Sequence, residues 1–269
     1  KSKELQTYGL ANSKNEIIWF LEHRNILDKN TLYSLNPELI TINTKFAIDS
    51  FVSKRKKLIP FQYIINSCNF HGKDFAIDQR ALIPRPETET IIDYLKKKEP
   101  CNNVLEIGTG SGILSCMLSL EKIGKHILAT DISQAALDLA KENINSYKID
   151  NIKLKKHNIL KETFKTKFDL IISNPPYISL KDYNKLSKEI QNYEPRHALT
   201  DNNDGLVFYR RFSQIMKYIL KPTGSFYCEI GKSKTCNEIE NIFTANNYTI
   251  SWIFDLNKDP RYFKLECIY

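Results

Sequence analysis

From about residue 100 onward, short apolar runs alternate with longer stretches of helical period, and that order restricts the chain to a layered α/β sheet. Residues 103–107, 126–130, 152–155, 168–173 and 224–230 read as strands, and 112–121, 134–147, 205–220 and 234–245 as helices. Strand–helix alternation makes successive strands parallel and covers both faces of the sheet, so the expected class is α/β, doubly wound and mostly parallel. The last two strand-like runs, 248–254 and 262–269, have no helix between them and predict an antiparallel C-terminal hairpin at the sheet edge.

The N-terminal part follows other periods. Residues 14 to 60 are helical in pattern, with Ile17, Ile18, Phe20 and Leu21 on one apolar face and Phe46, Ala47, Phe51 and Val52 on another. Pro60 ends that region. From 62 to 78 the apolar residues become aromatic and β-branched (Tyr63, Ile64, Ile65, Phe70, Phe75, Ile77), with His71-Gly72-Lys73 as a turn between two short strands. The expected organisation is a small helical domain over 1–61, a β-hairpin linker over 62–80 and the α/β domain over 81–269.

Composition narrows the setting. The six cysteines are scattered without a CxxC pair, which argues against structural zinc or a disulfide framework and fits a reducing, cytoplasmic compartment. No apolar run has the length of a membrane span, so no membrane partner is expected. The chain opens at Lys1 rather than Met, which leaves a preceding targeting segment open. The net charge of +8 is spread through a chain rich in Lys, Asn and Ile, and it names no partner by itself.

The strand at 168–173 runs into Asn174-Pro175-Pro176-Tyr177. Two prolines cannot extend a strand, because each lacks an N–H and fixes φ. The chain must leave the sheet at Asn174, at the carboxyl end of a central strand, where open α/β sheets bind their ligands. An amide side chain, a rigid turn with free carbonyls and an aromatic ring arrive there together. An ordinary strand-ending turn uses the same residue types.

A second constellation lies upstream. Val104-Leu105-Glu106-Ile107-Gly108-Thr109-Gly110-Ser111-Gly112 is a strand, a glycine-rich turn and a helix start, and three of the chain's nine glycines fall within five positions. Such glycines permit close backbone approach to a ligand at a helix N-terminus. The pattern is ExGxGxG rather than the dinucleotide GxGxxG, and a ligand with a cationic amino-acid end suits Glu106 where a pyrophosphate does not. The next strand ends in Asp131, placed to accept both hydroxyls of a ribose or to cap the following helix, a task Ser133 can also perform. After the third strand, Asn158 and Ile159 stand where an adenine ring would lie, or serve as a turn and a core residue. Together these positions suggest S-adenosyl-L-methionine rather than NAD.

The two constellations resemble the amino-methyltransferases that modify planar NH2 groups. Further segments resemble one family among them, the PrmC/HemK family: Leu-Ile-Pro-Arg-Pro-Glu-Thr-Glu at 82–89, Tyr-Glu-Pro-Arg-His-Ala-Leu at 193–199, Asp204-Gly205-Leu206, Tyr209-Arg210, Glu229-Ile230-Gly231, and Asp255 with Arg261. The similarity covers nearly the whole chain. It implies a Rossmann-like methyltransferase sheet and transfer of a methyl group from S-adenosyl-L-methionine to the glutamine amide of the Gly-Gly-Gln tripeptide in peptide-chain release factors. It also implies a monomer with no nucleic-acid substrate. Cofactor binding then falls to Glu106, Gly108, Thr109, Gly110, Ser111, Gly112, Asp131, Asn158, Ile159 and Asn174, and substrate binding to Asn174, Pro175, Pro176 and Tyr177. Three positions depart from the family pattern: Asn66 for a usual Gly, Lys234 for a usual Gln, and Ile159 for a residue often aromatic.

An amide nitrogen is a poor nucleophile, so the task is alignment. The Asn174 side-chain oxygen and the Pro175 carbonyl are expected to accept the two substrate N–H groups, with Tyr177 against the planar amide and no dedicated general base. Arg85, Glu87 and Glu194 either shape the substrate groove or form surface ion pairs. A nucleic-acid methyltransferase acting on an adenine amine would flip out its base and usually carry a separate recognition domain, for which only the small helical region is available. A non-catalytic binding module would be free to lose the glycine loop or Asn174–Tyr177, and both are intact.

Overall fold

The computed structural model describes residues 1–27, 41–231 and 235–267 of the 269-residue chain. The helical reading of 28–40 and the departure at Lys234 lie outside the described residues. The chain divides into two compact units, one of Lys1–Ser67 with Ser187–Tyr193, the other of Cys68–Leu186 with Glu194–Tyr269.

The smaller unit is helical. The helices Ser13–His23, Ile42–Lys56 and Phe61–Ile65 enclose a core of Leu5, Phe20, Leu21, Phe51, Val52 and Ile64. Phe20 and Phe51 stack at 4.7 Å. The Thr41 hydroxyl accepts the Thr44 N–H and caps the helix Ile42–Lys56. Phe46, expected on its apolar face, is exposed. Buried Arg55 bonds Glu16 (2.7 Å) and Glu189 (2.9 Å), which ties the segment Ser187–Tyr193 into this unit. Residues 61–65 form a helical turn rather than the expected strand. Their side chains cover the helical core, and tertiary burial outweighs the β preference of Tyr63, Ile64 and Ile65. Asn66 ends that helix at φ 56°, a left-handed position that Asn tolerates better than most residues.

In the larger unit, β1 (Ser67–Phe70) and β2 (Lys73–Ala76) form the hairpin. It is docked rather than free, because Ala76 exchanges hydrogen bonds with the Asn143 amide and Phe75 packs on Tyr147 at 4.9 Å. The main sheet contains β3 (Cys101–Ile107), β4 (Gly124–Asp131), β5 (Ile152–Lys156), β6 (Phe168–Ser173), β7 (Leu220–Glu229), β8 (Tyr248–Phe254) and β9 (Pro260–Cys267). Their order is β5-β4-β3-β6-β7-β9-β8. The first five are parallel, and β9 pairs antiparallel with both β7 and β8, as the missing helix between the last two strands predicts. Val104, Leu105, Ile171 and Ile172 are wholly buried, which is why the centres of β3 and β6 are apolar.

The helices Val207–Ile219 and Cys236–Thr244 pack beside β7 and β9 around an aromatic cluster. Phe263 is fully buried at its centre, with ring contacts to Phe226 (5.8 Å), Phe243 (4.9 Å), Tyr209 (6.2 Å) and Trp252 (6.1 Å). Phe263→Ala should cost about 3–5 kcal/mol of stability, read from urea denaturation, because the site cannot collapse around so many fixed rings. A loss below about 1 kcal/mol would mean that the cluster is not the packing centre of this half of the sheet.

Candidate active site

Two loops meet at the carboxyl ends of β3 and β6. The strands pair in parallel to their last residues, Ile107 opposite Ser173, so Gly108 and Asn174 leave the sheet side by side. Ser173 donates its hydroxyl to the Ile107 carbonyl (2.9 Å), and Thr130 does the same to Glu106 (2.9 Å), which tightens the ends of three neighbouring strands. The chain departs from β3 in one direction and from β6 in the other, so this is the topological switch point of the sheet.

The glycine turn is held from several sides. Gly108 and Thr109 both donate backbone N–H groups to the Thr130 carbonyl (2.8 and 2.9 Å). Gly108, Gly110 and Gly112 have φ of 77°, 54° and 76°, which a side chain would strain. At Gly112 a Cβ would also stand 2.7 Å from Ala140 Cβ, so this glycine allows the helix Ile113–Leu120 to approach the helix Gln134–Ser146. Asn143 of that second helix donates to the Ser111 carbonyl (2.9 Å).

Two carboxylates border the turn. Glu106 is buried and accepts from the Thr109 hydroxyl (2.6 Å) and from the Ser115 hydroxyl. Burial lifts its carboxyl to about 7 against the pull of those two hydroxyls. Asp131 accepts the Gly110 N–H and the Ser133 N–H, each at 2.9 Å and each on a different oxygen. The Ser133 hydroxyl accepts the Ala136 N–H and caps the next helix, so the capping role left open for Asp131 belongs to Ser133.

Glu106, Gly108, Thr109, Gly110, Ser111, Asp131, Asn158, Ile159, Asn174, Pro175 and Pro176 line one cavity. Gly112 and Tyr177 do not line it; the first serves helix packing and the second stands beyond the two prolines. Asn158 uses its side-chain oxygen to accept the Leu160 N–H (3.1 Å), and Ile159 is buried in the core cluster while its carbonyl accepts from Arg211 Nε (2.8 Å). Neither the Asn174 side chain nor the Pro175 carbonyl has a hydrogen-bond partner among the described residues. They are polar groups left free at the cavity wall.

Tyr177 is fixed by glycines that lie far away in sequence. A Cβ on Gly231 would stand 2.4 Å from the Tyr177 ring, so the ring lies directly on that backbone. Gly205, at φ 86°, would place a Cβ 2.4 Å from the Tyr177 carbonyl and 3.1 Å from the Ser179 nitrogen. The Asp201 carboxylate accepts N–H groups from Asn203, Gly205 and Val207 and holds that opposing loop. Behind the turn, Glu229 is buried and accepts from Thr88 (2.8 Å) and Tyr262 (2.7 Å); burial raises its carboxyl. Arg85 bonds both oxygens of buried Glu194 (2.7 and 2.9 Å), and Ile83 N–H reaches the same carboxylate (3.3 Å). The pair therefore secures the 82–85 segment and is not a loose surface contact.

The cavity fits S-adenosyl-L-methionine on its own geometry. Gly108 and Gly110 provide a backbone cradle that side chains would fill, and the carboxylates of Glu106 and Asp131 at the wall suit a ligand that carries a cationic group and hydroxyls. Among the described residues no His/Cys/Asp/Glu group could hold a metal ion, and no helix is long and apolar enough to cross a membrane.

Comparison with known proteins gives the following. Residues 86–221 match the family model "Methyltransferase small domain". The release factor glutamine methyltransferase of Clostridium acetobutylicum is 34% identical over 264 residues, covering 92% of this chain and 91% of that protein. That of Fusobacterium nucleatum is 37% identical over 229 residues, covering 83% of this chain and 64% of its own length, so the match leaves over a third of that relative unspanned. Among solved structures, a methyltransferase from Pyrococcus furiosus has the same fold, with a TM-score of 0.55 at 21% identity over 79% of this chain and 98% of that one.

Two outcomes follow from the site. The Glu106 carboxyl, lifted from 4.5 to about 7, contributes stability that is present below 4.5 and lost as pH climbs through 7. A ligand with a cationic end favours the carboxylate, so affinity for S-adenosylhomocysteine should rise with pH between about 5 and 7. Glu106→Gln should flatten that rise in calorimetric titration; an unchanged slope would remove Glu106 from the linkage. Gly205→Ala should lower methyl transfer at least tenfold while leaving S-adenosylhomocysteine binding within about twofold, because it moves the Tyr177 loop and not the glycine turn.

Proposed function

We propose that this chain, which belongs to the release factor glutamine methyltransferase family, transfers a methyl group from S-adenosyl-L-methionine to the side-chain amide of a glutamine in peptide-chain release factors. The target is the Gly-Gly-Gln tripeptide, and the reading takes the protein to be a cytoplasmic monomer acting in translation termination. The observation that carries it is the pair of unpartnered acceptors, the Asn174 side-chain oxygen and the Pro175 carbonyl, at the switch point beside the glycine turn.

When bound, S-adenosyl-L-methionine supplies an electron-poor sulfonium methyl. Residues 108–111, with Glu106 and Asp131, hold it, and Asn158 and Ile159 border its adenine end. Asn174 and Pro175 accept the two N–H groups of the glutamine amide, which directs the nitrogen lone pair out of the turn. Their dipoles also stabilise the positive charge that grows on nitrogen. Proline suits the second position because its fixed φ preorganises the carbonyl at no further entropic cost. Tyr177, held against Gly231, packs on the flat amide. The alkylated amide is strongly acidic and loses its proton to solvent, so no side-chain base is required.

The test offers labelled S-adenosylmethionine with purified release factor, with its Gln→Ala variant at the tripeptide, and with DNA. Label should appear on the intact release factor alone; label on DNA alone would turn the assignment to a nucleobase amine. Asn174→Ala should bind S-adenosylhomocysteine yet lose about 10²-fold or more in methyl transfer, as for removal of a preorganised polar group at a reacting centre. Near-full activity of that variant would refute its role as acceptor.

A further inference from the structure

The sheet edge at β5 carries charge that the active site does not use. Between 148 and 167, seven lysines stand against two carboxylates, Asp150 and Glu162. All seven lysines are exposed, and none pairs with a carboxylate among the described residues. Lysines on an edge strand keep it from pairing with another chain, and that purpose accounts for Lys153, Lys155 and Lys156 on β5 itself. It does not account for Lys161, Lys165 and Lys167, which lie beyond the strand.

Contacts join the strand, the loop after it and the helix Val207–Ile219 into one surface. Lys155 Nζ lies 5.5 Å from the centroid of the Phe164 ring. Arg211 of the helix donates from Nε to the Ile159 carbonyl (2.8 Å) and from Nη2 to the Glu162 carbonyl (2.9 Å), which pins the loop. Lys167 Nζ donates to the Lys217 carbonyl (3.3 Å) on the same helix. Next to it the Tyr218 ring is 57% exposed, and Lys217 Nζ stands 5.0 Å from its centroid. A field of unpaired cations attracts a polyanion. An acidic protein surface would be served by the lysines alone. The exposed ring adds a flat face on which an unstacked base can lie, and cations for phosphates beside an aromatic platform suit a single nucleic-acid strand.

We propose that the β5 edge, the loop after it and the exposed face of the helix Val207–Ile219 bind single-stranded RNA, the lysines on its phosphates and Tyr218 stacked on a base. The strand is held there as a tether and is not the methyl acceptor. The choice of RNA rests on the translation setting proposed above; the cationic surface does not. The test is fluorescence anisotropy of the full chain with a labelled oligouridine RNA, in salt from about 50 to 200 mM. The logarithm of affinity should fall linearly with that of salt, with a slope near −0.7 for each phosphate contacted. The triple variant Lys153→Glu, Lys161→Glu, Lys165→Glu should bind at least tenfold more weakly, with a slope shallower by about 2. Tyr218→Ala should bind about tenfold more weakly with the slope unchanged. Both variants should keep the wild-type affinity for S-adenosylhomocysteine and the wild-type rate of methyl transfer, which shows that they are folded. A control of equal net charge, Lys3→Glu, Lys14→Glu, Lys45→Glu on exposed positions of the helical unit, should bind RNA as the wild type does. Equal weakening by the control, no effect of Tyr218→Ala, or tighter binding of polyglutamate or phosphatidylserine vesicles than of RNA would overturn the proposal. Absence of methyl transfer to release factor by a wild type that binds RNA would overturn the proposed activity and leave the RNA surface standing.

Discussion

Parallel pairing of β3 with β6 carries Ile107 and Ser173 to the same level of the sheet, so the glycine turn and the Asn-Pro-Pro turn begin at adjacent points. All of the chemistry depends on that register. A slip of one residue would invert the faces of a strand and separate Gly108 from Asn174, whose carbonyl lies 3.8 Å from where a Cβ on Gly108 would be. The register is enforced by the buried residues of both strands and by the Ser173 hydroxyl on the Ile107 carbonyl. Two turns of opposed character then share one spot. One is made of residues that permit unusual backbone, the other of residues that forbid adjustment.

The carboxyl edge of the sheet also gathers polar groups that burial disfavours. Glu106, Asp131 and Glu229 are all buried near strand ends, and each is compensated by hydrogen bonds from its own surroundings. The compensation differs in kind. Glu229 is closed off by Thr88 and Tyr262 and works as a structural clamp between three distant segments. Glu106 receives the Thr109 and Ser115 hydroxyls on one oxygen and remains at a cavity wall, where a cation would relieve the cost of its charge. Asp131 receives backbone N–H groups on both oxygens and keeps further lone pairs free to accept hydrogen bonds.

The sheet was largely legible in the sequence because parallel strands are buried on both faces and have apolar centres, as at 170–172. The turns were legible because Gly and Pro state backbone requirements directly. Residues 61–65 were misread for the same physical reason that makes β propensity weak: Tyr63, Ile64 and Ile65 satisfy a helical core as well as a strand. The clamp of Thr88, Glu229 and Tyr262 was not legible, since its members are joined only by tertiary structure, though the motifs at 82–89 and 229–231 marked two of its three positions.

Gly205 and Gly231 carry the same lesson into the substrate side of the site. Each is needed at a contact with Tyr177 or its backbone rather than for a turn of its own alone. The Tyr177–Ser179 backbone runs against Gly205, and the Tyr177 ring lies against Gly231, so the position of one aromatic side chain is determined by two segments downstream of it in the chain. The prolines between Asn174 and Tyr177 then transmit that position back to the acceptor carbonyl with little slack, because Pro175 and Pro176 have fixed φ. A rigid four-residue turn, clamped at its far end by backbone contacts, is how this chain holds two hydrogen-bond acceptors still without any side chain bonding to them.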